Sequence, residues 1–111
     1  MINISFIGMA ACGKSKIGKA VAKKIGVSFV DTDLLIEQKH GATLEEIKNR
    51  YDYKFVRDEE EIVILGLTSS NRIISTGGSA VYSAKSMQHL KKFSKVIYIN
   101  TPLEIIMERI D

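Results

Sequence analysis

The segment that most restricts how this chain can fold is Gly8-Met9-Ala10-Ala11-Cys12-Gly13-Lys14-Ser15, which satisfies G-x-x-x-x-G-K-[ST]. It lies between two unlike patterns. Before it runs Ile2-Asn3-Ile4-Ser5-Phe6-Ile7, the composition of a strand. After it, from about Lys14, Ile17, Val21 and Ile25 recur four apart with Ala20 filling the same face, and Gly26 stands where a left-handed helix end belongs. A strand, a tight loop and a helix in that order point successive backbone N–H groups inward as an anion nest, to which the helix adds its positive end. Gly8 and Gly13 permit the backbone angles, Lys14 supplies a point charge to β- and γ-phosphates, and the Ser15 hydroxyl can hold a Mg²⁺ ion. Chance supplies such a match in roughly a few chains per thousand of this length, and in fewer once the flanking strand and helix are required. Nucleotide phosphate binding is the expectation. Cys12, inside the loop, either fills a permissive position or carries a thiolate favoured by the helix N-terminus.

The rest of the chain repeats a unit in which a short β-rich run feeds an amphipathic helix. Ser28-Phe29-Val30 ends at Asp31, Arg72-Ile73-Ile74-Ser75-Thr76 ends in Gly77 and Gly78, and Val96-Ile97-Tyr98-Ile99 makes a fourth run. Thr43 with Glu46 and Thr101 with Glu104 read as capping boxes, with Pro102 at the first helical position after Thr101. Helices are expected between Asp58 and Leu67 and from Ser83 to Leu90, where Ala84, Met87 and Leu90 lie three apart. Strands alternating with helices predict an α/β fold with right-handed crossovers and a mostly parallel sheet. In such sheets ligands bind beyond the carboxyl ends of the strands, where Gly8, Asp31, Gly77 with Gly78, and Thr101 fall.

Composition narrows the class. With 111 residues, 45% of them apolar and one proline, the chain fits one domain with a real core and excludes disorder. A single cysteine excludes an internal disulfide. Apolar runs such as Ile62 to Leu67 are far too short to span a membrane, and the N-terminus lacks a signal peptide's basic region, so a soluble cytoplasmic protein is expected. Sixteen Lys and Arg against thirteen Asp and Glu leave a net charge of +3, but the basic residues are scattered. Without tryptophan or a basic-aromatic stripe, nucleic acid is the least favoured ligand. His40 and His89, the two histidines, have no metal-ligand partner at useful spacing.

A second constellation bears on what receives the phosphate. Asp31 and Asp33, at the end of the second strand, face the same crevice. A carboxylate there can bind Mg²⁺ through water, orient a substrate hydroxyl or accept its proton, the plainer alternative being a helix cap and a turn. Tyr51 and Tyr53 are expected to serve core or rim packing rather than an acceptor pocket.

With these residues in view, the chain resembles the shikimate kinase family, within the nucleoside-monophosphate-kinase group of P-loop folds. GMAACGKSKIGKAVAKKIG resembles the family's loop and first helix, FVDTDLLIEQKHG its D-x-D strand end, and ATLEEIKNRYDYKFVRDEE its helical substrate-binding region. IISTGGSAV resembles the glycine-rich turn after the third strand, and KVIYINTPLEIIMER the fourth strand and following helix. The resemblance implies a three-layer α/β/α kinase domain over residues 1–111, with ATP and Mg²⁺ as cofactors and transfer of the γ-phosphoryl group to a hydroxyl of a small metabolite, shikimate first. It implies that Gly8, Ala11, Cys12, Gly13, Lys14, Ser15 and Lys16 form the ATP site, that Ser15 ligates Mg²⁺, and that Asp31 stands in the metal's outer shell. Asp33 would hold the acceptor hydroxyls and act with Lys14 in catalysis, while Gly77, Gly78 and Arg57 would contact the acceptor.

The sequence departs from the family in several places. Val56 occupies the slot of an acceptor-gripping arginine in F-R-x-x-E, and Arg57 follows one residue later, about 100° further round a helix. Ser79 replaces a third glycine, Ala11 a loop glycine, and Lys16 a hydroxyl residue. These changes leave room for a kinase of another hydroxylated acceptor, or for a non-catalytic ATP-binding module. The resemblance stops near Arg109, before the family's arginine-bearing lid, fifth strand and last helices. A partial form with poor catalysis and an exposed sheet edge is therefore expected, and a monomer if complete.

Overall fold

In the computed structural model, which describes residues 2–8 and 14–99, four parallel strands form one sheet in the order β2-β3-β1-β4. The strands are β1 (Asn3–Gly8), β2 (Ser28–Asp31), β3 (Arg72–Ser75) and β4 (Lys95–Ile99). Helix α1 (Lys14–Ile25) links the first two strands. Three helices, α2 (Thr32–His40), α3 (Leu44–Arg50) and α4 (Tyr53–Leu65), lie between β2 and β3. A 3₁₀ turn (Ala80–Tyr82) and α5 (Ala84–Phe93) complete the described chain. This is the α/β architecture with a parallel sheet that the alternating runs predict. The expected Thr101–Glu104 cap, Pro102 and Arg109 lie outside the described residues.

Neighbouring residues on a strand point to opposite faces, so the buried pairs Phe6-Ile7 and Ile73-Ile74 each serve two cores. Ile7 and Ile74 pack with Ile64, Leu67, Ala80 and Leu90 under α4 and α5. Phe6 and Ile73 pack with Ala22 of α1 on the other face. Three layers result. A third cluster, Ile36, Ile47 and Val56, joins α2, α3 and α4 beside the sheet.

Helix α1 does not bury the face expected for it. Ala20 and Ile25 are exposed, and the sheet-facing stripe runs through Gly18 and Ala22 with Ile17 and Val21 at its flanks. Small residues win because the helix lies close on the sheet: a Cβ at Gly18 would come 3.0 Å from Phe29, 3.2 Å from Phe6 and 3.3 Å from Ile73. Gly26 closes the helix with φ 75°, as predicted. Helix α4 begins at Tyr53, five residues before the expected Asp58, because the Asp52 carboxylate caps it by accepting from the Phe55 N–H at 2.9 Å. Thr43 and Ser83 cap α3 and α5 in the same way, through the N–H groups of Glu46 and Ser86.

Candidate active site

The site is built at the carboxyl ends of three adjacent strands. Register places Ser75 beside both Phe6 of β1 and Asp31 of β2, so β3 brings its last residue between the phosphate loop's strand and the aspartate-bearing one. Gly8 ends β1 at φ 144°, an angle that side chains with a Cβ rarely adopt. Ala11, Cys12 and Gly13 of the expected loop lie outside the described residues. Lys14, at 6% exposure, donates from Nζ to the Gly8 carbonyl at 2.9 Å, closing the base of the loop. Ser15 Oγ donates to Asp31 Oδ2 at 2.5 Å and lies 3.1 Å from Ser75 Oγ. Lys16 is exposed on the first turn of α1.

Asp31 does two things at once. Its Oδ1 accepts from the Asp33 N–H at 2.9 Å and caps α2, while its Oδ2 meets Ser15. The capping and metal-side readings of this residue are therefore compatible. Ser15, Asp31 and Ser75 together offer hard oxygen donors, which suit Mg²⁺. No group of three or more His, Cys, Asp or Glu able to hold a metal occurs among the described residues. The donor set thus fits an ion that takes much of its shell from phosphate and water rather than from a protein cage.

Asp33 follows on the first turn of α2 and faces a cleft of about 630 Å³, lined also by Leu44, Lys48, Val56, Arg57, Gly78 and Tyr82. Burial, then the charges of Glu60 and Asp31, push its carboxyl up to about 6, against the opposing pull of Lys48 and Lys14. Arg57 does reach this cleft. Its guanidinium lies over the rings of Tyr53 (4.9 Å) and Tyr82 (4.8 Å), both 71% exposed at the rim, and pairs with neither Glu60 nor Glu61. Tyr53 is thus a wall of the pocket rather than mere packing, while Tyr51 stacks on Phe55 with centroids 4.0 Å apart.

Sequence reading passed over Glu60, Lys48, Ser75 and Tyr82. Glu60 is 2% exposed, and its Oε2 accepts from the Gly77 N–H (2.7 Å) and Thr32 Oγ1 (2.9 Å), its Oε1 from Ser79 Oγ (2.6 Å). Glu59 turns instead toward α2, accepting from Lys39 Nζ at 3.1 Å and sharing a hydrogen bond with His40 Nε2. Burial works against its charge, but the hydrogen bonds from His40 and Lys39 prevail and hold its carboxyl below the ordinary value. The run Asp58 to Glu61 held a signal, since four consecutive acids on a helix span every direction and at least one must face inward. Which one faces inward is set by packing.

Comparison with known proteins agrees with this geometry. The family model described as shikimate kinase matches residues 10–111. Shikimate kinases of Persephonella marina and Clostridium botulinum (strain 657) are 36% and 37% identical over 110 residues, 98% of this chain in each case. The chain spans about two thirds of their length, 67% and 65%. Among solved structures, a shikimate kinase from Acinetobacter baumannii in complex with shikimate superposes with a TM-score of 0.88 at 34% identity, covering 98% of this chain and 62% of that one. The enzyme from Bacteroides thetaiotaomicron gives 0.87 at 28%, covering 97% and 62%. A gluconokinase from Sinorhizobium meliloti gives 0.58 at 18% and shares the fold alone. Sequence, sheet order and the phosphate-loop frame converge, and the chain belongs to the shikimate kinase family.

Proposed function

We propose that this chain is the P-loop kinase domain of an ATP-dependent phosphotransferase acting on a hydroxyl of a small metabolite, with shikimate as the acceptor. The observation that carries this reading is the placement of Asp33. It faces the cleft it shares with Gly78 and Arg57, and it sits two residues from the Asp31 carboxylate that meets Ser15.

The division of labour follows from the residues. Gly8, Lys14, Ser15 and Lys16, with the loop residues Ala11, Cys12 and Gly13, would hold the triphosphate. Ser15 would ligate Mg²⁺ and Asp31 would stand in its outer shell. A bound Mg²⁺ supplies neutralisation of phosphate charge. Asp33, with its proton affinity raised toward neutrality, is largely ionised at pH 7 and suited to take the acceptor's hydroxyl proton. As that proton moves to Asp33, the hydroxyl oxygen bonds to the γ-phosphorus, the bond to the β-phosphate oxygen breaks, and ADP leaves. Burial of Lys14 supports a role in neutralising that departing charge. Gly78, on the cleft wall, leaves room for the acceptor beside Asp33, whereas the buried Gly77, expected to contact the acceptor, is packed instead against the Asp33 and Glu60 carboxylates.

Arg57 and Lys48 also line the cleft and form no ion pair within salt-bridge distance among the described residues, which suits an acceptor bearing an anionic group. The small-molecule size of the cleft and the scattered surface charge favour a metabolite over nucleic acid or a membrane surface. No helix among the described residues is long and apolar enough to cross a membrane.

Val56, buried where the family carries an arginine, supports a second reading, a kinase of another hydroxylated acid. Incubation with ATP, Mg²⁺ and a panel of hydroxylated acids and sugars, with mass spectrometry of the products, separates the two. Phosphorylated shikimate is expected. Turnover of a different acceptor with none of shikimate would replace the first reading by the second.

A further inference from the structure

Glu60 is a buried carboxylate that the phosphoryl-transfer steps above leave unused. It belongs to α4, yet all three of its hydrogen bonds go to other elements: the Gly77 N–H and Ser79 Oγ after β3, and Thr32 Oγ1 at the start of α2. Thr32 Oγ1 also accepts from the same Gly77 N–H, at 3.0 Å. A buried carboxylate is retained at such a place only when its lone pairs are satisfied, and here both oxygens are. The fit is tight. A Cβ at Gly77 would fall 2.5 Å from Asp33 Oδ1 and closer still to Glu60 Oε2, so the Gly77 Cα is wedged between the two carboxylates. Ser79, where the sequence departs from the family's third glycine, supplies the hydroxyl that engages the second Glu60 oxygen.

We propose that Glu60 is a positioning residue that sets the acceptor-facing turn Gly77–Ser79 against Asp33. It touches neither acceptor nor nucleotide. By holding the buried Gly77, it fixes Gly78 where the acceptor meets the cleft wall, and Ser79 completes that hold. This rests on the acceptor reading of the cleft, and the test keeps the two apart.

Dissociation constants for shikimate and for ATP with Mg²⁺ are to be measured by calorimetry on the full chain and on Glu60→Ala, Glu60→Gln and Ser79→Ala. Amide hydrogen exchange is to be followed at Gly77 and across Ile73–Ser75. Glu60→Ala is expected to weaken shikimate binding at least tenfold with ATP affinity within twofold, and to speed Gly77 exchange at least tenfold while the strand stays protected. Glu60→Gln keeps an acceptor for Gly77 and Thr32 and an amide for Ser79, so its shikimate affinity is expected within threefold of the parent. Ser79→Ala is expected to cost two- to fivefold in shikimate affinity without a change in melting temperature. If Glu60→Ala does not fold, the Gln and Ser79 variants decide, and an unaltered Ser79→Ala overturns the proposal. Equal weakening of both ligands, or shikimate affinity within twofold in Glu60→Ala, also overturns it, since either result is that of a general structural role. If the parent chain binds no shikimate, the acceptor reading fails on its own. Gly77 exchange then decides, with unchanged protection in Glu60→Ala counting against Glu60.

Discussion

The two ends of the cleft are made in opposite ways. The end we assign to phosphate uses strand termini and the first turn of α1, with Gly8, Lys14, Ser15, Asp31 and Ser75 held by parallel register and short hydroxyl contacts. The end we assign to the acceptor is assembled from helices and a turn distant in sequence, with Asp33 from α2, Lys48 from α3, Arg57 from α4 and Tyr82 from the 3₁₀ turn. One end is a local motif on the stiffest part of the fold. The other depends on how three helices pack around Ile36, Ile47 and Val56. On the proposed assignment, phosphate recognition is thereby insulated from changes that retune the acceptor.

Four substitutions test that separation. Asp33→Asn should lower kcat by about 10²- to 10⁴-fold, the usual range for losing a general base, and leave ATP affinity unchanged; loss of ATP binding in this variant would erase the division between the ends. Lys14→Ala should weaken ATP binding about 10- to 100-fold in a calorimetric titration, with shikimate affinity held. Arg57→Ala should weaken shikimate binding about tenfold, and Lys48→Ala, which removes a point charge rather than a bidentate fork, about threefold. Equal effects of these changes on ATP would show that the ends are not separate.

The smallest effect concerns stability. The folded protein holds the Asp33 proton more tightly than the unfolded chain, with the carboxyl raised from 3.8 to about 6. Stability therefore falls as pH rises through that interval, because the native state gives up a proton that the unfolded state has already lost. Asp33→Asn should lack this decline and be more stable than the parent at pH 7 by about 1–3 kcal/mol in urea melts of the ligand-free protein.

The unequal legibility of the two ends has the same physical origin. Gly8, Lys14 and Ser15 could be read because a strand-loop-helix unit fixes them within a few residues of one another, and Asp31 because it ends the next strand of a parallel sheet. The parallel sheet followed from runs of β-branched residues whose neighbours feed opposite faces. Glu60 and Lys48 could not be read in this way, since which acid of Asp58–Glu61 turns inward depends on the rotation of α4, and that is set by Val56 and Ile64 against distant partners. Helix α4 starts before the expected Asp58 because the Asp52 carboxylate caps it at the Phe55 N–H. Ala20 was misassigned because spacing identifies a face, whereas close approach to a sheet selects for the absence of side chain, as at Gly18.

Strand β1 is flanked on both sides, by β3 and β4, and its Phe6 and Ile7 are clamped from above and below. The segment leaving Gly8 is consequently anchored to the part of the molecule that opens last. Amide protection across Ser5–Ile7 should mark the slowest-exchanging foldon, so that partial melting of the peripheral helices would disperse the acceptor's walls while the nucleotide's tether was still intact.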